Sequence, residues 1–318
     1  MLSPLSESAS GTAFEFACLA ARDLWLTWAE QLRMESGRDL DFDTEPTVML
    51  AFDDEQHHRL ALLRQRAEVA GDSATELGAG ELYERVPYLR AGAVSGLVLR
   101  DEPRVDPLKV LDALDYLLAL AGVIIHRERD VERIETSKGG VRLIGSDWRT
   151  EAPYVVMATG AWAATVQGLG LDEIVQPVRG QMIAYQAPDG MSGCIRHQDL
   201  YALVRNGELL IGATEEQVGY VDVVTEEAMT ELRDAAEELF PKLAWRKVER
   251  HWSGLRPTTR DGLPMIGHWL SERLVVATGM YRNGVLLAPW SAPIVADLLL
   301  EGSSENLPRE MNAERFGV

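Results

Sequence analysis

The chain has 318 residues, of which 46% are hydrophobic and 25% charged, as is ordinary for a folded protein with a sizeable core. Its formal net charge of −19 argues against nucleic acid and anionic membrane surfaces as partners, because both require positive fields. Two distant cysteines, Cys18 and Cys194, indicate free thiols in a reducing compartment, with one long-range disulfide as the alternative. We therefore expect a cytoplasmic protein that binds neither nucleic acid nor membranes.

The sequence shows no sign of export, membrane insertion or metal binding. Residues 1–7 contain neither the basic region nor the apolar core of a signal peptide. No apolar run approaches the length that we expect of a membrane-spanning helix. The cysteines and histidines do not have the spacing of a metal site, so we expect no metal.

The first half of the chain alternates between helical and strand-like patterns. Apolar residues recur at three- and four-residue spacing over residues 10–36, which predicts a long helix that ends at Gly37. Shorter helices are expected at 53–69, from 78 to Pro87, and from Pro107 to near Gly122. Strands are expected at 46–52, 94–100, 123–126, 131–135, 141–144 and 154–157.

The second half has a different texture, with several short strands separated by turns. These strands are expected at 181–186, 200–204, 208–212, 248–253 and 274–277. Helices are expected at 225–240 and 284–300. This order predicts a mixed fold whose sheet is mainly antiparallel from the middle of the chain onward.

Four motifs occur in a fixed order along the chain. The first two are the strand-to-turn segment 155–162 and the segment Pro177-Val178-Arg179-Gly180-Gln181. The other two are Gly254-Leu255-Arg256-Pro257 and the segment 282–287, Arg-Asn-Gly-Val-Leu-Leu. Together they resemble flavin-dependent amine oxidases of the D-amino-acid-oxidase superfamily, and they are most similar to its glycine-oxidase (ThiO) branch.

The resemblance covers nearly the whole chain and implies an α+β / α/β fold with two domains interleaved in sequence. Residues 1–40, 90–175 and 250–318 would form a truncated FAD-binding domain of the Rossmann-like, glutathione-reductase type. Residues 41–89 and 176–249 would form a discontinuous substrate-binding domain on a mainly antiparallel sheet.

The sequence departs from this family at its start, because no Gly-x-Gly-x-x-Gly turn opens it. Its Gly78-Ala79-Gly80 has Tyr83 in place of a third glycine and is interpreted as the start of a helix. Either Met1 is an internal methionine of a longer protein, or a second chain supplies the missing unit. Without that unit the strands at 123–126 and 154–157 lack a neighbour, so we expect residues 1–318 alone to bind FAD weakly or not at all and to aggregate.

The implied reaction is the oxidation of glycine, or of another small amino acid or amine, to an imine that hydrolyses to an oxo acid and ammonia. O2 would be the acceptor and thiamine biosynthesis the pathway. A carboxylate is best held by the planar fork of a guanidinium, and the resemblance assigns this role to Arg256, with the Tyr201 hydroxyl as a second donor. The residues alone leave open a structural pair between Arg256 and Asp261, and a packing role for Tyr201.

The resemblance also assigns residues to the cofactor. They lie at the start of the chain, in the first strand of a hairpin expected over 131–144 about Lys138-Gly139-Gly140, after the strand at 154–157, and around the start of the last helix. Free N–H groups at a helix start favour electron-rich oxygens. The residues are Met1, Leu2, Val131, Ala158, Thr159, Gly160, Met280, Tyr281, Arg282, Asn283, Gly284, Val285 and Leu286. FAD is expected to bind non-covalently, because Cys194 lies outside the segment that carries the flavin in sarcosine oxidases.

Two alternatives remain open at this point. The chain could be a catalytically inactive fragment that acts only through protein contacts. It could also be a sarcosine or D-amino-acid oxidase or dehydrogenase, because Met280 stands where the family often has histidine and Val204 where proline is common. Homo-oligomerisation is also left open.

Overall fold

A computed structural model describes residues 1–317 and divides them into two compact units. The first unit comprises Met1, 43–104 and 179–255, and the second comprises 2–42, 105–178 and the chain from Arg256 onward. Residues 90–104 thus lie in the first unit. The sequence analysis had assigned them to the FAD-binding domain, as part of 90–175. The reason is that the strand Ser95–Leu99 pairs with two other strands of the first unit.

The described residues form helices and strands in roughly equal measure. The α-helices are α1 Pro4–Glu7, α2 Ala13–Ser36, α3 Asp54–Ala70, α4 Ala79–Arg85, α5 Pro107–Leu120, α6 Glu226–Leu239 and α7 Gly284–Leu300. The strands are β1 Thr47–Ala51, β2 Ala74–Gly78, β3 Ser95–Leu99, β4 Arg133–Thr136, β5 Val141–Ile144, β6 Arg149–Ala152, β7 Val155–Met157, β8 Val175–Gln186, β9 Cys194–His197, β10 Leu200–Arg205, β11 Glu208–Gly212, β12 Arg250–Thr259, β13 Met265–Trp269 and β14 Ser271–Thr278. The mixed α/β class with a large, mostly antiparallel sheet is confirmed.

Helix ends follow the capping residues of the sequence. Asp53 accepts a bond from the Gln56 N–H at 2.7 Å, and Asp106 accepts one from the Leu108 N–H at 2.9 Å. Helix α2 ends at Gly37, whose left-handed φ of 68° closes the helix. The predicted helix starts and stops at these positions are therefore confirmed.

An eight-stranded sheet forms the first unit, in the order β12-β8-β11-β10-β9-β1-β3-β2. Strand β1 pairs with β9 in parallel, whereas the pairs β1–β3, β2–β3, β9–β10, β10–β11 and β8–β11 are antiparallel. One face packs on α4 and α6 through a buried cluster that includes Val48, Ile195, Ala202 and Leu232. Since side chains alternate along a strand, their neighbours in sequence lie on the opposite face, where Cys194 and Leu203 are buried.

The second unit combines two small sheets with a helical layer. Its sheets have the orders β13-β14-β7 and β4-β5-β6, and the second contains the predicted β4–β5 hairpin. Helices α2, α5 and α7 share a buried cluster centred on Trp25. The indole N–H of Trp25 donates to the carbonyls of Val285 and Leu286, both at 3.0 Å, which fixes α2 against the start of α7.

The strand predicted at Val123–His126 does not form. Val123, Ile124 and Ile125 are 48%, 79% and 40% exposed, and no strand of residues 1–317 pairs with them. Apolar β-branched residues favour a strand only where a neighbour satisfies their backbone hydrogen bonds. In the strand-to-turn segment 155–162, strand β7 is followed by a 3-10 turn over Gly160–Thr165.

One helical stretch of the described residues, Tyr281–Leu300, is long and apolar enough to cross a membrane, with a mean hydropathy of 1.4. The expectation that no run approaches this length is therefore wrong. Leu286, Leu287, Ile294 and Leu298 of this stretch are buried in the core of the second unit. Core helices of soluble proteins pass the same test, so this finding is weak evidence for a membrane span.

Candidate functional site

Tyr201 lies on the sheet face that points away from α6, which we call the Tyr201 face. It is half-buried beside the buried cluster of Ala184, Cys194, Leu203 and Leu210, with Met1, Met182 and Trp252 around it. The Tyr201 hydroxyl donates to Met182 Sδ at 3.2 Å. This hydrogen bond and the surrounding side chains fix the position of the Tyr201 hydroxyl relative to the sheet.

Gly212 explains how the hydroxyl reaches Met182 across an intervening strand. Tyr201 is in register with Gly212 on β11, and Gly212 is in register with Met182 on β8. A Cβ on Gly212 would lie 2.7 Å from Met182 Cγ, so the methionine occupies the space that a side chain would need. The missing side chain of this glycine brings its two neighbours together.

Arg179 and Gln181 of the motif at 177–181 have a structural role in the first unit. Arg179 is buried and donates to Glu216 at 2.5 Å and to the carbonyls of Val221 and Val223 at 3.2 and 2.9 Å. Gln181 donates to the same carboxylate at 2.8 Å. Burial opposes the charge of Glu216, but the bonds from Arg179 and its neighbours outweigh it and lower the pKa of the carboxyl. The network fixes the loop that follows β11.

Arg256 lies on β12 in the second unit and is half-buried. The alternative for this arginine was a structural pair with Asp261. The fork on Asp261 is supplied by Arg315, whose Nε and Nη2 donate to the carboxylate at 2.8 and 3.1 Å. Burial acts against this charge, yet the bonds from Arg315, Thr259 and the Leu263 N–H lower the pKa of Asp261 to about 2.

The loop from Gly279 to Gly284 leads from β14 into α7. Gly279 has a φ of 73°, and a Cβ there would lie 2.5 Å from Thr259 Cγ2, so both backbone conformation and packing require glycine. Asn283 is buried at the N-cap of α7 but makes no capping bond with its side chain. The first turn of α7 therefore starts without a side-chain acceptor, at an exposed Gly284.

Charge and packing hold this loop in place. Arg282 Nη1 lies 4.0 Å from Glu7 Oε2, and both side chains are largely buried. Leu2 and Leu286 are fully buried in one cluster, against which Met280 and Val285 also pack. The structure thus brings Leu2 together with the predicted residues at the start of α7, whereas Met1 packs beside Cys194 in the first unit.

The other predicted cofactor residues lie along the end of β7. Ala158 is exposed, and the Gly160 carbonyl accepts a bond from Thr278 Oγ1 at 2.9 Å. The hydroxyl of Thr159 is buried without a hydrogen-bond partner in the described chain. Val131 packs on the neighbouring cluster that contains Met157.

Comparison with known proteins decides the family. The family model described as "FAD dependent oxidoreductase" (DAO) matches residues 2–298. The chain belongs to this family. It is therefore an FAD-dependent oxidoreductase by descent, as the resemblance of its motifs implied.

Individual relatives of this oxidoreductase are glycine oxidases. The glycine oxidase of Bacillus licheniformis is 31% identical over 295 residues, which are 91% of this chain and 78% of the relative. The bifunctional protein ThiO/ThiG of Synechocystis sp. is 30% identical over 99% of this chain and 47% of its own length. The crystal structure of glycine oxidase from Geobacillus kaustophilus superposes with a TM-score of 0.92 at 29% identity, covering 99% of this chain and 86% of that one.

The residues of the oxidoreductase fit the flavin part of an FAD. Two hydroxyls of the second unit, Ser3 Oγ and Thr159 Oγ1, are buried without a hydrogen-bond partner within residues 1–317. The 3-10 turn Tyr281–Asn283 leads directly into α7, and Arg282 adds positive charge in this turn. Such donors match a ring edge that is rich in oxygen and nitrogen atoms.

Sequence reasoning missed several residues around these sites. Met182, Glu7 and Arg315 were not singled out, although they contact Tyr201, Arg282 and Asp261. No local pattern marks them, because each meets its partner only through the fold. The alternation along β9 could have indicated that Arg196 shares a face with Cys194, but the strand itself was not predicted.

Proposed function

We propose that this oxidoreductase oxidises glycine or another small amino acid, with FAD bound non-covalently and O2 as the acceptor. The second unit would hold FAD and would bind the substrate carboxylate through Arg256. The observation that carries the proposal is that two buried hydroxyls, Ser3 Oγ and Thr159 Oγ1, lack hydrogen-bond partners within residues 1–317 of a chain that the family model matches over residues 2–298. The similarity to a bifunctional ThiO/ThiG protein supports a role in thiamine biosynthesis.

The protein's part in the reaction is to bind, orient and neutralise charge. The Arg256 guanidinium would bind the substrate carboxylate through two parallel bonds. Bound FAD would supply the two-electron acceptor for the α C–H bond. Arg282 and the N–H groups of α7 would stabilise the negative charge that reduction brings.

The balance for glycine is simple. Glycine, O2 and water give glyoxylate, ammonia and hydrogen peroxide. Water hydrolyses the imine formed by oxidation to glyoxylate and ammonia. O2 accepts the two electrons and is reduced to hydrogen peroxide. Cys18 and Cys194 are both buried, so neither offers an accessible thiol for a covalent link to FAD.

The test uses the full chain incubated with FAD and passed over a gel-filtration column. The proposal expects a flavin absorption band that is bleached by glycine without O2 and returns, with peroxide, when O2 is admitted. Acid precipitation should release all of the flavin into the supernatant if binding is non-covalent. A retained flavin band that no small amino acid bleaches would contradict the proposal, whereas a chain that retains no flavin would confirm the weak FAD binding predicted from the sequence.

Arg256→Lys gives a matched variant for the carboxylate site. Lysine keeps the charge but loses the planar fork, so KM for glycine should rise by about ten-fold or more while the flavin spectrum stays unchanged. Arg59→Gln, which removes an exposed ion pair on α3, serves as a control for altered net charge. An unchanged KM in Arg256→Lys would remove Arg256 from the substrate site.

A further inference from the structure

Trp245 is the most exposed of the large hydrophobic side chains in the described chain, at 92%. It ends the 3-10 turn Pro241–Trp245, which follows α6 in the first unit. Tryptophan is highly buried on average and is enriched in the cores of protein interfaces. One exposed indole is not an interface by itself, so the argument depends on what surrounds it and on what could receive it.

The segment 241–248 around Trp245, which we call the Trp245 segment, is cationic. It contains Lys242, Arg246 and Lys247 and no acidic residue. All three basic side chains are exposed, as is the indole between them. Tryptophan and arginine are the residue types that most often carry the binding energy of an interface. In a chain with a net charge of −19, this segment is a local reversal of sign.

A cavity of about 390 Å³ opens beside α6 in the same unit. Its lining combines apolar side chains that are buried or half-buried with exposed carboxylates, and no lysine or arginine of the described chain contributes to it. The apolar residues include Leu200, Leu232 and Ala235, and the acids are Asp199, Glu231 and Glu238. Pockets that hold small organic groups measure about 300–1,000 Å³, so the cavity has room for one indole ring.

The rim of this cavity keeps a net negative charge. Glu238 is partly neutralised, because Arg90 Nη2 lies 3.5 Å from its carboxylate. Burial, followed by the charge of Arg90, lowers the pKa of His197 from its ordinary 6.5, so this ring is neutral at pH 7 and adds no positive charge. Asp199 and Glu231 therefore set the sign of the rim, which is opposite to that of the Trp245 segment.

We propose that Trp245 of one copy of this chain inserts into the cavity of a second copy, and that the two copies do so reciprocally about a two-fold axis. The cavity residues of α6 end at Leu239, and the turn that carries Trp245 begins at Pro241. Donor and acceptor surfaces thus follow each other along the chain, as an isologous interface requires. In such a dimer each cationic segment meets the acidic rim of the other copy.

Charge and area both favour a second copy as the occupant. Two chains with a net charge of −19 repel each other, so they can associate only where a cationic element meets an acidic one. Each buried indole removes about 150–250 Å² from solvent, and the cavity that receives it loses a similar area. Two such contacts bury roughly 600–1,000 Å² in total, which is at the low end for specific interfaces and implies a weak dimer.

The first experiment measures self-association of the full chain by analytical ultracentrifugation, from about 1 to about 300 µM at about 0.15 M salt. We expect a reversible monomer–dimer equilibrium with a Kd of about 10–100 µM. Trp245→Ala should raise this Kd by about ten-fold or more. Trp162→Ala, which removes a 51% exposed indole of the second unit, is the matched control and should leave the Kd unchanged.

Three results of this experiment would overturn the proposal. They are a monomeric parent at every concentration, association of Trp245→Ala with the Kd of the parent, and assemblies that keep growing beyond a dimer. Ala235→Phe, which fills the cavity, should weaken association as Trp245→Ala does. Unchanged association of Ala235→Phe would show that Trp245 binds elsewhere and would contradict the proposal.

A charge exchange tests the pairing of segment and rim. One double variant, Asp199→Lys with Glu231→Lys, makes the rim cationic, and the other, Arg246→Glu with Lys247→Glu, makes the segment acidic. Each should be monomeric alone, because like charges then face each other at both contacts. An equimolar mixture should form heterodimers with a Kd within about three-fold of the parent's, since opposite charges meet at both contacts. A mixture that stays monomeric would contradict the proposal.

This inference is independent of the proposed function. Association is measured without FAD and without substrate, so a failure of the dimer leaves the proposed oxidation of glycine untouched. A chain that dimerises through Trp245 and oxidises no amine would remove the proposed function and leave the interface in place.

Discussion

The segments Cys194–His197 and Val123–His126 are equally short, and they have opposite environments. Cys194–His197 forms β9, an inner strand between β1 and β10 of the eight-stranded sheet, and Ile195 is 3% exposed. Val123–His126 has no strand beside it in the described chain, and Ile124 is 79% exposed. The segment with Cys, Arg and His is a strand, and the segment with three β-branched residues in a row is not.

The difference shows that a strand is a property of its neighbours. Two flanking strands satisfy the N–H and C=O groups of β9, and its buried side chains follow from that position. In Val123–His126 the Val123 N–H donates to the Leu118 carbonyl of α5 at 3.0 Å, no strand pairs with the segment in the described chain, and its apolar side chains are exposed. β-propensity describes how well a side chain fits a sheet that already exists. The first unit supplies that sheet, and its contacts should carry more stability than those around residue 124.

The largest expected effect concerns the buried ion pair that holds the loop after β11. Arg179→Gln leaves Glu216 without its buried partner and frees the carbonyls of Val221 and Val223. We expect a loss of about 3–5 kcal/mol in the free energy of unfolding, measured by urea titration. Adding Glu216→Gln should recover part of this loss, because it removes the unpaired charge. A loss below that of an exposed arginine, such as Arg59→Gln, would contradict the buried network.

Sequence reasoning was accurate where local signals decide the structure. Helix α7 has the predicted bounds, and the β4–β5 hairpin turns about Lys138 and the following glycines as predicted. These elements depend on caps, turn residues and apolar patterning within about 20 residues. Strand β9 was missed, because its place depends on β1, which lies far away in the sequence.

The candidate site divides in the same way. Tyr201 and the Arg282 loop could be singled out, because their motifs resemble a known family. The ion pair between Asp261 and Arg315 and the position of Arg196 opposite Tyr201 could not be predicted. Both depend on contacts between segments that are separated in the sequence. Whether Tyr201 and Arg256 hold a substrate stays a prediction, and the KM of Arg256→Lys tests it for Arg256.

A smaller effect is expected when the same substitution is made in Cys194–His197 and in Val123–His126 and the losses in the free energy of unfolding are compared. Ile195→Val removes one methyl group from the core under α6 and should cost about 0.5–1.5 kcal/mol. Ile124→Val makes the same chemical change at an exposed position and should cost no more than about 0.5 kcal/mol. Both values come from urea unfolding midpoints at constant m-value. An equal loss at the two positions would mean that residues 123–126 are packed in solution.

The smallest expected effect concerns the ion pair of the second unit, which is less buried than that of the first. The pKa of Asp261 falls from its ordinary 3.8 to about 2, and its side chain is 37% exposed. A lowered pKa in the folded state stabilises the protein above pH 4, and this stability is lost as the pH falls through 2. Asp261→Asn should therefore lower the free energy of unfolding at neutral pH by well under about 2 kcal/mol, since solvent screens the pair. Thermal unfolding scans between pH 7 and pH 2 should show the parent and the variant converging below pH 4. A gap that persists to pH 2 would show that Asp261 acts through its hydrogen bonds to Thr259 and Leu263, which asparagine cannot fully replace, and that its charge contributes little.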